Sequence, residues 1–210
     1  MTTTTIEYYL SPQSPWTYLG HERLQRIARA AGATIEVIPV DLGGVFPATG
    51  GLPLARRAPA RQAYRLVELK RFSDHLGLPL NLHPRFFPVD GNPAARLIVA
   101  VAEADGHEAA LRLAGLVLRA VWVDELDIAD RATLASLLDA AGLAPAHLEH
   151  AATEAVGARY AANTQRALDA GVFGAPSYVL DGELFWARTG STSSSGVWPA
   201  ADRDRSVRSR

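Results

Sequence analysis

Ser14-Pro15-Trp16-Thr17 lies between a short apolar and aromatic run, Ile6–Leu10, and a stretch of helical periodicity ending near Gly32. The N–H groups of a helix's first turn lack intrahelical partners, and the helix dipole places partial positive charge there. An anion at that point is stabilised without any charged side chain, and a serine hydroxyl adds one more donor. The chain contains no cysteine. Structural disulfides, thiolate metal sites and cysteine nucleophiles are therefore excluded, and any thiol that reacts here must arrive with a ligand. Two other sets of residues are weaker candidates. His147 and His150 are metal-like in type, but histidines at this spacing on a polar helix read as surface residues rather than zinc ligands. Gly43-Gly44 and Gly50-Gly51 lack the strand-to-helix glycine spacing of a dinucleotide site.

The elements that position Ser14 are legible. Ser14 suits an N-cap, and Pro15 suits the first helical position, where its missing N–H costs nothing. Trp16, Leu19, Leu24, Ile27 and Ala31 carry the helix, and Thr34–Val40 alternates as a second strand. Strand, helix and strand at this length make a βαβ unit with parallel strands. Residues 41–59 read as loop. Helices are predicted over 60–76, 93–104, 107–122, 131–140 and 145–168, with a proline-rich connector from His75 to Pro93. Two strands follow, Ser177–Leu180 and Glu183–Trp186, joined by Asp181-Gly182, a hairpin signal. The whole reads as an α/β chain: a thioredoxin-like core (1–45 and 168–187) with a large all-helical insertion (46–167). With 210 residues, 48% hydrophobic, 20% charged and a net charge of -1, nothing global points to nucleic acid or an anionic membrane. Without a signal-like leader or a long apolar run, the expected location is cytoplasmic.

Ser-Pro-Trp-Thr-Tyr-Leu-Gly at 14–20 and Gly-Val-Phe-Gly-Ala-Pro-Ser at 171–177, with Phe87-Pro88, Asn92 and Arg96 between them, resemble a known family. These segments are similar to the 2-hydroxychromene-2-carboxylate isomerases and the related kappa-class glutathione transferases. DsbA-type oxidoreductases carry Cys-Pro-x-Cys at the same place, where this chain has Ser14 and Thr17. The resemblance implies bound glutathione as cofactor, with Ser14 donating a hydrogen bond to its thiolate. The helix N-terminus would lower the thiol pKa from about 8.5. It further implies a cis Ala175-Pro176 bond, with the Ala175 backbone pairing with the cysteinyl unit as an added strand does. The implied reaction is isomerisation of an aromatic hydroxy-enone carboxylate. Asn92, Arg56 and Arg57 would then meet the substrate's carboxylate and phenol, and Trp16, Phe46, Phe86 and Phe87 would wall its ring. A homodimer is also implied. Two alternatives stay open: a kappa-like transferase that conjugates electrophiles, and a non-catalytic module holding an extended peptide in the cis-proline groove.

Residues 188–210 depart from this pattern. Family members typically continue with Trp-Gly, an amide or serine, Asp-Arg and a terminal helix, whereas this chain reads Trp186-Ala187-Arg188-Thr189. Its Ser-, Gly- and Arg-rich ending has no periodicity and reads as disordered. The run Arg188–Gly196 can nevertheless be written in codons that, read one base earlier after a C, encode Gln-Asp-Arg-Leu-Asp-Phe-Leu-Glu-Arg. A single-base frameshift would account for the departure.

Overall fold

The computed structural model describes residues 4–186, so the expectation of disorder in the ending lies outside the described residues. Strand β1 (Thr5–Leu10) leads through helix α1 (Pro15–Ala31) to β2 (Thr34–Pro39). Helices α2 (Leu42–Thr49), α3 (Pro59–Leu76), α4 (Asn92–Asp105), α5 (His107–Trp122), α6 (Arg131–Ala140), α7 (His147–Ala151) and α8 (Glu154–Asp169) follow. The described chain closes with β3 (Ser177–Leu180) and β4 (Glu183–Trp186). The sheet order is β2-β1-β3-β4. β1 and β2 are parallel, β3 runs antiparallel to β1, and β4 antiparallel to β3. This is a thioredoxin-like sheet with helices α3–α8 inserted between its two halves.

Alternation along the strands sorts the core onto two faces. Ile6, Tyr8 and Leu10 of β1, Val37 of β2, and Tyr178 and Leu180 of β3 join one cluster with Leu97, Leu113 and Trp122 of the helices. Their neighbours Tyr9, Ile38 and Val179 face the other way, into a cluster with Ala167 and Val172. Helical insertion and sheet thus share one continuous core. The hairpin turn is built as its residues suggest, with Asp181 and Gly182 both at positive φ.

Three expectations are corrected. Residues 41–59 are not all loop: α2 forms there, with Asp41 as N-cap accepting from Gly43 N at 2.7 Å and Gly50 closing it at φ 75°. Glycines and an internal Pro47 hid this helix, and caps at both ends hold it. A 3-10 turn at Leu54–Arg56 follows. The single helix expected over 145–168 is two, because Thr153 leaves helical geometry and its hydroxyl caps α8 at Val156 N. His147 is not a surface residue. It is buried, with Nε2 2.7 Å from Asp105, and among the described residues no metal-like cluster of three His, Asp or Glu exists.

Candidate active site

Ser14 is the N-cap of α1, extended at φ -82° and ψ 122° and 7% exposed. Its hydroxyl accepts from Thr17 N at 3.2 Å and donates to the Ala175 carbonyl at 3.1 Å. One hydroxyl therefore joins the start of α1 to the loop before β3, across 161 residues of sequence. The Ala175-Pro176 bond is cis. Ser177 Oγ donates to Gly174 O at 2.8 Å and fixes the turn from below. Gly20 lets α1 approach: a Cβ there would stand 3.0 Å from the Tyr178 hydroxyl and 3.8 Å from Pro176.

The donors of the first turn of α1 divide clearly. Pro15 has none, Thr17 N is capped by Ser14, and Tyr18 N reaches Ser14 O at 3.1 Å. The Trp16 N–H meets no acceptor among the described residues. Thr17 Oγ1 is likewise buried without a partner. One free backbone donor, a second buried hydroxyl and the Ser14 hydroxyl thus gather at the positive end of a 17-residue helix. Such an arrangement stabilises an anion.

The expected substrate residues sit elsewhere on the rim. Asn92 opens α4, with its N–H on Asp90 Oδ1 at 3.0 Å and its side-chain oxygen accepting from the Tyr160 hydroxyl at 3.2 Å. Burial, with Asp41 and Asp90 nearby, raises the Tyr160 pKa well above the usual phenol range, so it stays a donor. Arg56 is exposed at the end of the 3-10 turn. Arg57 donates from Nε to Leu52 O at 2.8 Å and stands over the Phe46 ring. Ser14, Ala175 and Pro176 are thus brought together, while among the described residues no hydrogen bond or ion pair ties Asn92 or Arg56 to them. Two residues were missed by the sequence reading. Tyr160 orients Asn92, and Arg65 of α3 lies over Phe87 and Trp122. Neither belongs to a motif, and only the fold reveals their neighbours.

The model of the DSBA-like thioredoxin domain matches residues 5–195. The chain belongs to this family. Among its relatives, a 2-hydroxychromene-2-carboxylate isomerase of Pseudomonas putida is 29% identical over 188 residues, covering 86% of this chain and 87% of that one. Glutathione S-transferase kappa 1 of Rattus norvegicus is 24% identical over 189 residues, covering 86% and 83%. Among solved structures, a selenomethionyl 2-hydroxychromene-2-carboxylate isomerase superimposes with a TM-score of 0.71 at 26% identity, covering 87% and 88%. The described residues include no helix long and apolar enough to cross a membrane.

Proposed function

We propose that this DSBA-like protein is a glutathione-dependent isomerase of aromatic hydroxy-enone carboxylates, of the 2-hydroxychromene-2-carboxylate type. The observation that carries the reading is the Ser14 hydroxyl at the head of α1, bonded across to Ala175 beside cis Pro176. The donor set fits a thiolate, because it offers a hydroxyl and the positive end of a helix to an anion. Bound there, glutathione would supply a thiolate nucleophile for reversible conjugate addition, the chemistry that a cis-to-trans isomerisation needs. Ser14, whose hydroxyl donates to the Ala175 carbonyl in the free chain, would turn that proton to the sulfur. The Trp16 N–H and the α1 dipole hold the same negative charge. The Ala175 backbone is left free to pair with the extended peptide. Asn92, its oxygen held by Tyr160, presents its amide N–H groups to a substrate oxygen, and Arg56 and Arg57 add positive potential at the mouth. A homodimer in the cytoplasm belongs to the same reading.

Calorimetric titration of glutathione into the chain and into Ser14→Ala tests the thiol site. Binding by the parent that weakens about tenfold in the variant supports it, a loss expected of one charge-assisted hydrogen bond. Equal binding by both would remove Ser14 from its role. The 24% identity to a kappa glutathione transferase favours one alternative, conjugation. Product analysis separates the two, since isomerisation returns all the glutathione and conjugation consumes it.

A further inference from the structure

We infer that Arg65 binds the substrate's carboxylate, an assignment that rests on the isomerase reading above and gives its acid group a place. Arg65 is half-buried on α3, with its guanidinium 5.3 Å from the Phe87 ring centre and 5.8 Å from that of Trp122. Among the described residues no carboxylate pairs with it. The charged group that acts on it is Arg57, of like sign, and burial together with Arg57 pushes its pKa down to about 10. The cation persists at neutral pH, in an unfavourable setting. Arg166, another arginine at a packed interface, is treated differently: it is held by both Glu7 and Glu36. A half-buried guanidinium lying on aromatic faces keeps N–H donors at its edge, and that edge matches a carboxylate in a bidentate fit. The Trp122 indole N–H, in the same layer, is also buried without an acceptor.

The position suits the proposed substrate. Arg65, Leu69 and Phe72 share one face of α3, since they are spaced i, i+4 and i+7. Leu69 is fully buried, and Phe72 meets Trp16 edge-on at 5.6 Å, two residues beyond Ser14. Seven residues of helix rise set Arg65 about 10 Å along α3 from that contact. A sulfur at Ser14, the carbon it attacks and the acid chain beyond that carbon together span a comparable length. The connector closes the other side: Phe87 meets Trp122 at a tilt, ring centres 4.8 Å apart, and Gly91 lies against Gln13, next to Ser14. Arg56, exposed to water, has no such surroundings.

The test uses cinnamate and methyl cinnamate, which share a ring and a conjugated chain and differ in charge. Each is titrated calorimetrically into the full chain without glutathione, and into Arg65→Met and Arg65→Lys. In the parent, cinnamate is expected to bind about tenfold tighter than its ester. That ratio should fall to near one in R65M and be partly kept in R65K. A ratio unchanged in R65M, or absent in the parent, overturns the assignment. The ratio is internal to each protein, so a general loosening of R65M cancels out. Glutathione titrated separately keeps the two ideas apart. Charge preference without glutathione binding sinks the thiol reading but leaves Arg65 as an aryl-carboxylate site, and the reverse pattern sinks Arg65 alone.

Discussion

His21 shows how much one buried side chain can govern this fold. It is 4% exposed, with Nε2 3.1 Å from Leu111 O and Nδ1 3.2 Å from the Tyr8 hydroxyl. A ring nitrogen facing a carbonyl must donate, so the imidazole is the neutral Nε2–H form and Nδ1 accepts from Tyr8. Burial lowers its pKa from 6.5 to about 4, offset in part by the Leu111 carbonyl. The unfolded chain therefore takes up a proton below pH 6.5 that the folded chain refuses until about pH 4. Stability falls across that window as pH falls, by about 2 kcal/mol between pH 7 and pH 5 from this residue alone. Urea denaturation at both pH values measures it. His21→Gln should be less stable at pH 7, since it disturbs the Tyr8 and Leu111 bonds, yet lose less on acidification. A variant as acid-sensitive as the parent would rule out His21 as the source. Ser14 was legible in the sequence because a cap, a proline and a cysteine-free motif coincide there. His21 was not, because nothing in α1 says that α5 will cover it.

Between elements, Arg166 ties α8 to the sheet. Its guanidinium bonds both oxygens of Glu36, at 2.5 and 2.8 Å, and meets Glu7 at 2.9 Å. Glu7 and Glu36 are register partners on β1 and β2, and Glu7 also accepts from the Tyr9 hydroxyl at 2.5 Å. Without Arg166, two carboxylates would stand side by side on neighbouring strands. The Arg166 hydrogen bonds hold the Glu36 carboxyl below its ordinary range, against the opposing effect of burial. A lowered acid stabilises the fold above its unfolded pKa, and the benefit is lost as pH falls through the folded value. Arg166→Leu should thus cost about 1–2 kcal/mol at pH 7, a figure reduced for the partial exposure of all three side chains. At an acidic pH low enough to protonate Glu36, the difference from the parent should shrink. Denaturant midpoints at both pH values decide, and a loss that does not shrink would mean that packing of the arginine stem matters more than its charge. Elements of this kind were read well where periodicity was clean, as in α1, α5, α6 and the closing hairpin. α2 escaped because its glycines and Pro47 imitate a loop, and the break before α8 escaped because Thr153 interrupts an otherwise continuous apolar pattern. Short polar side chains turned back onto the backbone decide both places, and composition does not show them.

For the molecule as a whole, the arrangement of strands and helices was legible, and so was the meeting of Ser14 with Ala175-Pro176. The residues around the substrate were less so, because Tyr160 and Arg65 act through neighbours distant in sequence. What lies after β4 matters for the whole fold. β4 is the outer strand of the sheet, and its Leu184, Phe185 and Trp186 are all only half-buried. Phe173, packed edge-on against Trp186, is 39% exposed. Apolar surface of this kind at one end of a sheet calls for a covering element, since burying it contributes roughly 25 cal/mol per Å². The amino acids written in the sequence from Arg188 onward have no amphipathic period with which to cover it. The shifted reading, Gln-Asp-Arg-Leu-Asp-Phe-Leu-Glu-Arg, has one: Leu, Phe and Leu fall on one side of a helix and acids on the other. Sequencing the gene across Trp186–Gly196 tests the origin of the ending, and codons incompatible with the shifted frame would remove the idea. The physical consequence can be measured independently of origin, by replacing Ala187 onward with Gly-Gln-Asp-Arg-Leu-Asp-Phe-Leu-Glu-Arg. The restored chain should show a larger dependence of unfolding free energy on urea, because more surface is buried in its native state. On the glutathione reading proposed above, it should also bind glutathione more tightly, since the restored Asp supplies a carboxylate for the ligand's amine. An unchanged urea dependence would mean that the half-exposed end of the sheet is finished as it stands.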